Sequence, residues 1–321
     1  MLRLGLQIPS FTYPGTSDGG LFDRVADIAV TAEQAGFDSI WVMDHFYQIP
    51  NIGQRTEPML ESYTLLGGIA ARTSRATLGT MVTGVTYRNP ALLAKVVTTL
   101  DIVSSGRAIL GIGAAWNEDE HRGYGFDFPP ARERLDRLEE ALQICQAMFT
   151  QEESSFRGRS YRTNGALNFP RPVRPGGIPI LIGGSGEQRT LRLVAEYADA
   201  SNIFGDVPTV RHKLDVLRRH CKDVGRDPSE IIKTRLGTLV IAGTHAEAQR
   251  KAEAHWKRRG VAQAWRTSYI VGDPDGVAEQ ARAYFEAGLD GLFFNMPDAS
   301  DLETVALAGK ALTSALPSVR A

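Results

Sequence analysis

Two adjacent residues, Asp44 and His45, carry the first candidate chemistry of this 321-residue chain. They close the apolar run DSIWVM and precede a polar loop, so a carboxylate and an imidazole stand together where a strand ends. In a cleft, such a pair can accept and donate protons near neutral pH. The competing account is structural, with Asp44 capping the loop and His45 packed beneath it. Of the six histidines, His45 alone abuts a strand end. His121 lies in a later loop, while His212, His220, His245 and His255 fall on helical surfaces and read as solvated.

The run Ile182-Gly183-Gly184-Ser185-Gly186, followed by a helix beginning at Glu187, is a candidate phosphate cradle. Glycines let backbone N–H groups approach an anion, and the helix start adds its positive end. Ser185 and Thr190 could add hydroxyl donors, and Arg189 a charge. A tight turn would also want glycine, but four small residues exceed what one turn requires. A third stretch, Gly111-Ile112-Gly113-Ala114-Ala115-Trp116, is a broken dinucleotide fingerprint whose third glycine is missing. Its small residues either leave room for a flat ring, with Asn117 as an amide partner, or serve close strand packing. The run Gly79-Thr80-Met81-Val82-Thr83-Gly84 sets two glycines among branched residues, which suggests a bulge or a ligand's close approach.

The elements that must position these residues alternate strand and helix. Residues 76–116 read as one parallel βαβ unit. Leu78 to Val85 is a buried strand, Asn89-Pro90 caps a helix whose apolar residues recur to Val103, and Ala108 to Ala115 is the next strand. Further strands are expected at Leu2–Ile8, Asp38–Met43, Gly177–Ile182, Asp199–Phe204, Ile231–Ala242 and Gly291–Asn295. Three helix-to-strand joints look alike: AGFDSIWV, YADASNIF and AGLDGLFF each place an Asp just before a strand. Eight strands alternating with eight helices predict a single (β/α)₈ TIM-barrel domain over 1–321, with a doubly wound open sheet as the runner-up. Insertions are expected near 117–130, at 150–175 with a small hairpin around FRGRSYR, and at 244–268 with an extra charged helix. The long loops after strands would gather at the C-terminal face, where barrel sites lie.

Composition narrows the function further. Thirty-six basic and 37 acidic residues leave a net charge of -1, so no global field draws the chain to nucleic acid or membrane. Two cysteines exclude a disulfide framework, and a first strand with no signal-peptide pattern fits a cytoplasmic protein. Cys145 lies on an apolar helical stripe and Cys221 on an amphipathic helix. There is no P-loop, HExxH motif, zinc-spaced Cys/His cluster or GxSxG elbow.

The stretches WVMDHF, LGTMVTGVTYRNP, LDIVSSGRAILGIGAAWNEDE, RLEEALQICQAMF and IPILIGGSGEQRTLRLVAEYADASN resemble the luciferase-like monooxygenase superfamily. They are most similar to its branch that uses the deazaflavin coenzyme F420. The resemblance covers nearly the whole chain and implies the same barrel. It places Asp44 and His45 beside the ring, and a strand-three bulge of Met81, Val82 and Thr83 behind it, with a cis peptide between Met81 and Val82. Asn117 would meet the ring edge, and Gly183, Gly184, Ser185 and Gly186 would hold the phosphate. The chain departs from the branch's sugar-phosphate dehydrogenases, having Ala114 where they carry a glutamate acid and lacking their tryptophan near Ile49. His45 is then the remaining acid–base candidate, with Asp44, Glu118 or His121 as its helper. The resemblance implies hydride transfer between the deazaflavin and a small organic substrate, with a homodimer expected. The alternatives are an FMN-dependent monooxygenase, which would need a partner reductase, and a non-catalytic flavin-binding barrel.

Overall fold

The computed structural model describes residues 2–316. Its parallel strands are β1 (Leu4–Ile8), β2 (Ser39–Val42), β3 (Thr77–Thr80), β4 (Thr83–Gly84) and β5 (Leu110–Gly113). An antiparallel pair, β6 (Glu153–Arg157) and β7 (Arg162–Leu167), stands apart from them. The parallel set resumes with β8 (Ile180–Gly183), β9 (Ala200–Ile203), β10 (Ile232–Ile241), β11 (Ile270–Gly272) and β12 (Gly291–Asn295). Neighbours run β3-β2-β1-β12-β10-β9-β8-β5-β4. A further bridge from Leu78 to Ala108 joins β3 to the segment entering β5, so the sheet closes on itself as a barrel.

The helices are α1 (Leu21–Gln34), α2 (Ser62–Arg72), α3 (Pro90–Val103), α4 (Glu118–Tyr124), α5 (Ala131–Thr150), α6 (Thr190–Tyr197), α7 (Val207–Val224), α8 (His245–Arg259), α9 (Gln263–Arg266), α10 (Pro274–Glu286) and α11 (Leu302–Ala315). Helix α3 shows why the sequence folds as read. Asn89 accepts from the N–H groups of Ala91 and Leu92, Pro90 occupies the first turn, and Gly106 just beyond Ser105 takes a φ of 86° that ends the helix. A small cluster including Trp41, Ile109, Leu181 and Phe293 fills the barrel, and the larger core lies between strands and helices. Each repeated joint aspartate ties two strands. Asp38 accepts from the N–H groups of Arg3 and Leu4, Asp199 from Ile180 and Asp290 from Lys233.

Four expectations shift. The third strand is not one run but two pieces, β3 and β4, parted by a bulge at Met81-Val82. The loop after β5 contains α4. Helix α6 starts at Thr190, three residues later than Glu187, and β11 is an added strand beside β10. No helix among the described residues is long and apolar enough to cross a membrane.

Candidate active site at the C-terminal ends of the barrel strands

The bulge sets the floor. The peptide between Met81 and Val82 is cis, and the Gln7 side-chain amide donates to the Met81 carbonyl at 3.1 Å. Thr83 is tied to the same floor, its hydroxyl 2.7 Å from that of Tyr63 and 2.9 Å from that of Thr80. The glycines of β5 and β8 are what the bulge requires. A Cβ on Gly111 would lie 1.9 Å from the Thr80 carbonyl oxygen, and Cβ atoms on Gly113 and Gly183 would fall 2.9 and 2.7 Å from the Val82 methyls. For Gly111 and Gly113, close strand packing is the account that the geometry supports.

Beyond β2 the chain places Asp44 and His45 in different surroundings. Asp44 is buried and takes a bidentate ion pair from Arg88, at 2.6 and 3.1 Å, with a 2.7 Å bond from the Ser62 hydroxyl. Its two oxygens are therefore occupied, and it anchors the strand end. His45 is not paired with Asp44. Its Nδ1 lies 2.6 Å from Glu120 Oε1 on α4, while the side chain stays partly exposed. Glu120 is fully buried, and its other oxygen accepts the Phe46 N–H at 2.7 Å. The Tyr87 hydroxyl donates to the same oxygen that His45 meets. Burial opposes the charge of Glu120, but the hydrogen bond and charge of His45, then the bonds from Tyr87 and Phe46, hold its carboxyl below the usual range. Burial foremost, and then the Glu120 carboxylate, push the Tyr87 phenol up, so it stays a donor. An ionised Glu120 can only accept, so His45 Nδ1 carries a hydrogen toward it and Nε2 is the nitrogen left for a ligand.

Glu120 is the residue that sequence reasoning missed. With 117–130 read as a loop, Glu118, Asp119 and Glu120 look alike. Once Asn117 starts a helix, the buried positions are Glu120 and His121, while Glu118 turns outward to Arg122. The approach of Phe46, Tyr87 and Tyr124, with ring centroids 4.6 to 4.8 Å apart, shields the carboxylate. His121 makes its side-chain hydrogen bonds to neither His45 nor Glu120. Its Nδ1 donates to the Asn117 carbonyl at 2.6 Å, and its Nε2 meets the Thr86 hydroxyl, also at 2.6 Å. Asn117 precedes α4 with its side chain making no cap bond. Just before it, Ala115 takes a φ of 60°, and Trp116, 58% exposed, sets its ring edge-on to His45 at 5.6 Å.

The glycine-rich turn after β8 lies on the other side of β5. Gly184 has a φ of 133°, and a Cβ there would meet the Thr190 methyl at 3.2 Å. Its N–H donates to the Asn202 carbonyl, and the Ser185 hydroxyl accepts the Phe204 N–H at 3.2 Å. Gly186 lies against the Thr190 hydroxyl, so the turn is built of backbone. Arg189 does not serve it, for its guanidinium pairs with Asp136 at 2.7 Å. Nor are His212 and His220 merely solvated. They tie α7 to this turn through the side chain and the carbonyl of Glu187. Among the described residues no cluster of His, Cys, Asp or Glu could hold a metal ion.

The chain as a whole is similar to several known proteins. An F420-dependent glucose-6-phosphate dehydrogenase of Nakamurella multipartita is 30% identical, the match covering 97% of this chain and 96% of that protein. Among solved structures, a coenzyme F420-dependent tetrahydromethanopterin reductase from Methanopyrus kandleri superposes with a TM-score of 0.81 at 19% identity, over 98% of this chain and 99% of that one. The oxygenating constituent of 3,6-diketocamphane monooxygenase from Pseudomonas putida, solved with FMN, superposes with a TM-score of 0.77 at 21% identity over 98% and 99%. At such identities the two structures speak for the fold alone. The family model of the luciferase-like monooxygenases matches residues 2–291, and the chain belongs to that family.

Proposed function

We propose that this protein is a coenzyme F420-dependent oxidoreductase acting on a small organic substrate. The observation that carries the reading is the buried Glu120 bonded to His45, beside a bulged strand and opposite a glycine-built turn. The residues fit such a cofactor. Val82 on its bulge would offer an apolar support for a flat ring, Asn117, whose side chain makes no cap bond, would meet the ring edge, and the partly exposed turn at Gly183–Gly186 would offer backbone for a phosphate, with the Gly184 N–H already bonded to Asn202. The 30% identical relative across nearly the full length favours the deazaflavin over FMN.

When bound, the deazaflavin supplies a hydride donor or acceptor at its C5. The chain's part is position and proton handling. Glu120 fixes the imidazole so that His45 Nε2 is the free nitrogen, which would take a proton from an alcohol or, once protonated, return one to a reduced carbonyl or alkene. Asp44, held by Arg88 and Ser62, keeps the end of β2 in register and is a positioning residue. Trp116 packs its ring against the imidazole at 5.6 Å.

His45→Asn tests the assignment. Turnover with F420 should fall by about 10²-fold or more, the usual worth of a general acid–base group, while F420 affinity stays within a few-fold. Unchanged turnover would remove His45 from the mechanism.

A further inference from the structure

At the barrel mouth lies a cavity of about 560 Å³ whose lining includes Asn51 and Ile52 of the loop after β2 but not His45. It opens between the chain leaving β1, the ends of β10 and β12, and one face of α8. A polar chain connects it to the bulge. The Thr238 hydroxyl donates to Asn295 at 2.8 Å, the Asn295 amide reaches Gln7 at 3.5 Å, and Gln7 donates to the Met81 carbonyl.

The charge in this cavity is unbalanced. Lys251, His255, Arg258 and Arg259 share one face of α8 by helical spacing and all line it, whereas Asp298 is the lone carboxylate in its wall. Lys251 is matched with Asp298 at 2.9 Å. Among the described residues Arg259 pairs only with Glu57, at 3.6 Å, and Arg258, exposed at the rim, makes no ion pair. One buried nitrogen here, His255 Nδ1, also lacks a partner. Buried polar atoms are normally satisfied, and an arginine fork suits an oxyanion of two or more oxygens. The volume suits a small ligand rather than a macromolecule.

We propose that this cavity binds the oxyanion end of the organic substrate, a carboxylate or a phosphate, through Arg258 and Arg259. The reactive end then extends over Asn295 and Gln7 toward the bulge, which makes the insertion helix α8 the element that selects substrate by charge. The second half of this statement rests on the oxidoreductase reading, and the anion site itself does not.

Calorimetric titration of the full-length protein at low salt tests it, with inorganic phosphate and acetate as probes. Beside any phosphate held at the Gly183–Gly186 turn, one saturable site that takes both anions is expected, weakened tenfold or more in Arg258→Gln/Arg259→Gln and unchanged in Arg192→Gln, a surface arginine of α6. Arg258→Lys/Arg259→Lys, which keeps charge and loses the fork, should fall between. Tighter phosphate than acetate identifies a phosphorylated substrate, and the reverse a carboxylic acid. Absence of saturable binding, or equal binding by wild type and the Gln pair, would overturn the proposal. So would loss of the site when the protein is saturated with coenzyme F420, since the cavity would then serve acidic groups of the cofactor. A protein that binds the anions but not F420 keeps the anion site and loses the oxidoreductase reading.

Discussion

Replacing Glu120 by glutamine changes one atom of a buried side chain and should invert the chemistry of His45. The carboxylate now accepts from three donors: His45 Nδ1, the Tyr87 hydroxyl and the Phe46 N–H. A glutamine offers one oxygen and one NH₂. Set against the Phe46 N–H, the NH₂ would put donor against donor, so the oxygen stays there and the NH₂ takes the other site. The Tyr87 hydroxyl can rotate to accept, but His45 must then move its hydrogen from Nδ1 to Nε2. The free nitrogen becomes a donor. Losing hydrogen bonds to a buried charged group costs roughly 1.5–3 kcal/mol each, and with one bond kept and two reversed into neutral ones the loss of stability should be about 2–4 kcal/mol. Alcohol oxidation, which needs a base at Nε2, should slow by about 10²-fold. Nitrogen-15 NMR of the histidine ring reads the tautomer, denaturant unfolding reads the stability, and stopped-flow absorbance of the deazaflavin reads the rate. If Glu120→Gln left the ring tautomer and the rate as in the wild type, the role given to Glu120 would be wrong. The pair also has a pH signature. Because the folded carboxyl lies below its ordinary range, its contribution is complete above that range and fades as pH falls through the folded value, so the wild type should lose more stability in acid than Glu120→Gln.

Arg88→Met would leave Asp44 buried without its cation, and unfolding should show a loss of about 3–5 kcal/mol, much of it recovered in Asp44→Asn/Arg88→Met. Gly111→Ala should cost more than the roughly 1–3 kcal/mol of ordinary overpacking, because its Cβ would meet a backbone oxygen at 1.9 Å. Cofactor binding should fall with it, and a variant that binds F420 normally would separate the bulge from the ring site. His255 is pushed down to about 4, by burial first and then by Arg258 and Arg259, against the pull of Asp298. The unfolded chain therefore holds the extra proton between about 6.5 and 4, and stability falls as pH drops through that window. In His255→Gln, the fall in melting temperature between pH 7 and pH 5 should be smaller than in the wild type.

Much of this was legible in the sequence. The Asn89-Pro90 start of α3, the barrel alternation and the three joint aspartates follow from local rules, because caps, periodicity and strand entry depend on neighbours in the chain. Each joint aspartate accepts an N–H at the start of an adjacent strand, which explains why the same residue recurs there. The site was legible by residue type but not by partner. His45 was visible, whereas Glu120 lies 75 residues away on a single short helix whose buried face is defined only by packing against Phe46 and Tyr87. Arg88 and Asp44, 44 residues apart, show the same limit. Arg189 sat beside the glycine turn in sequence, yet its guanidinium leaves for α5, since a helix start fixes a backbone and not the direction of a long side chain. The split of the third strand was hidden for another reason. Two glycines within GTMVTG signal a bulge, but the space for it comes from glycines on β5 and β8.

The central claim is the cofactor, and side-by-side fluorescence titration of the purified apoprotein with coenzyme F420 and with FMN tests it most directly. Saturable binding of F420, with FMN weaker by tenfold or more, is the predicted result. Tight binding of FMN with none of F420 would contradict the account and move the chemistry to oxygen. Binding of neither would mean that the turn at Gly183–Gly186 is only a turn.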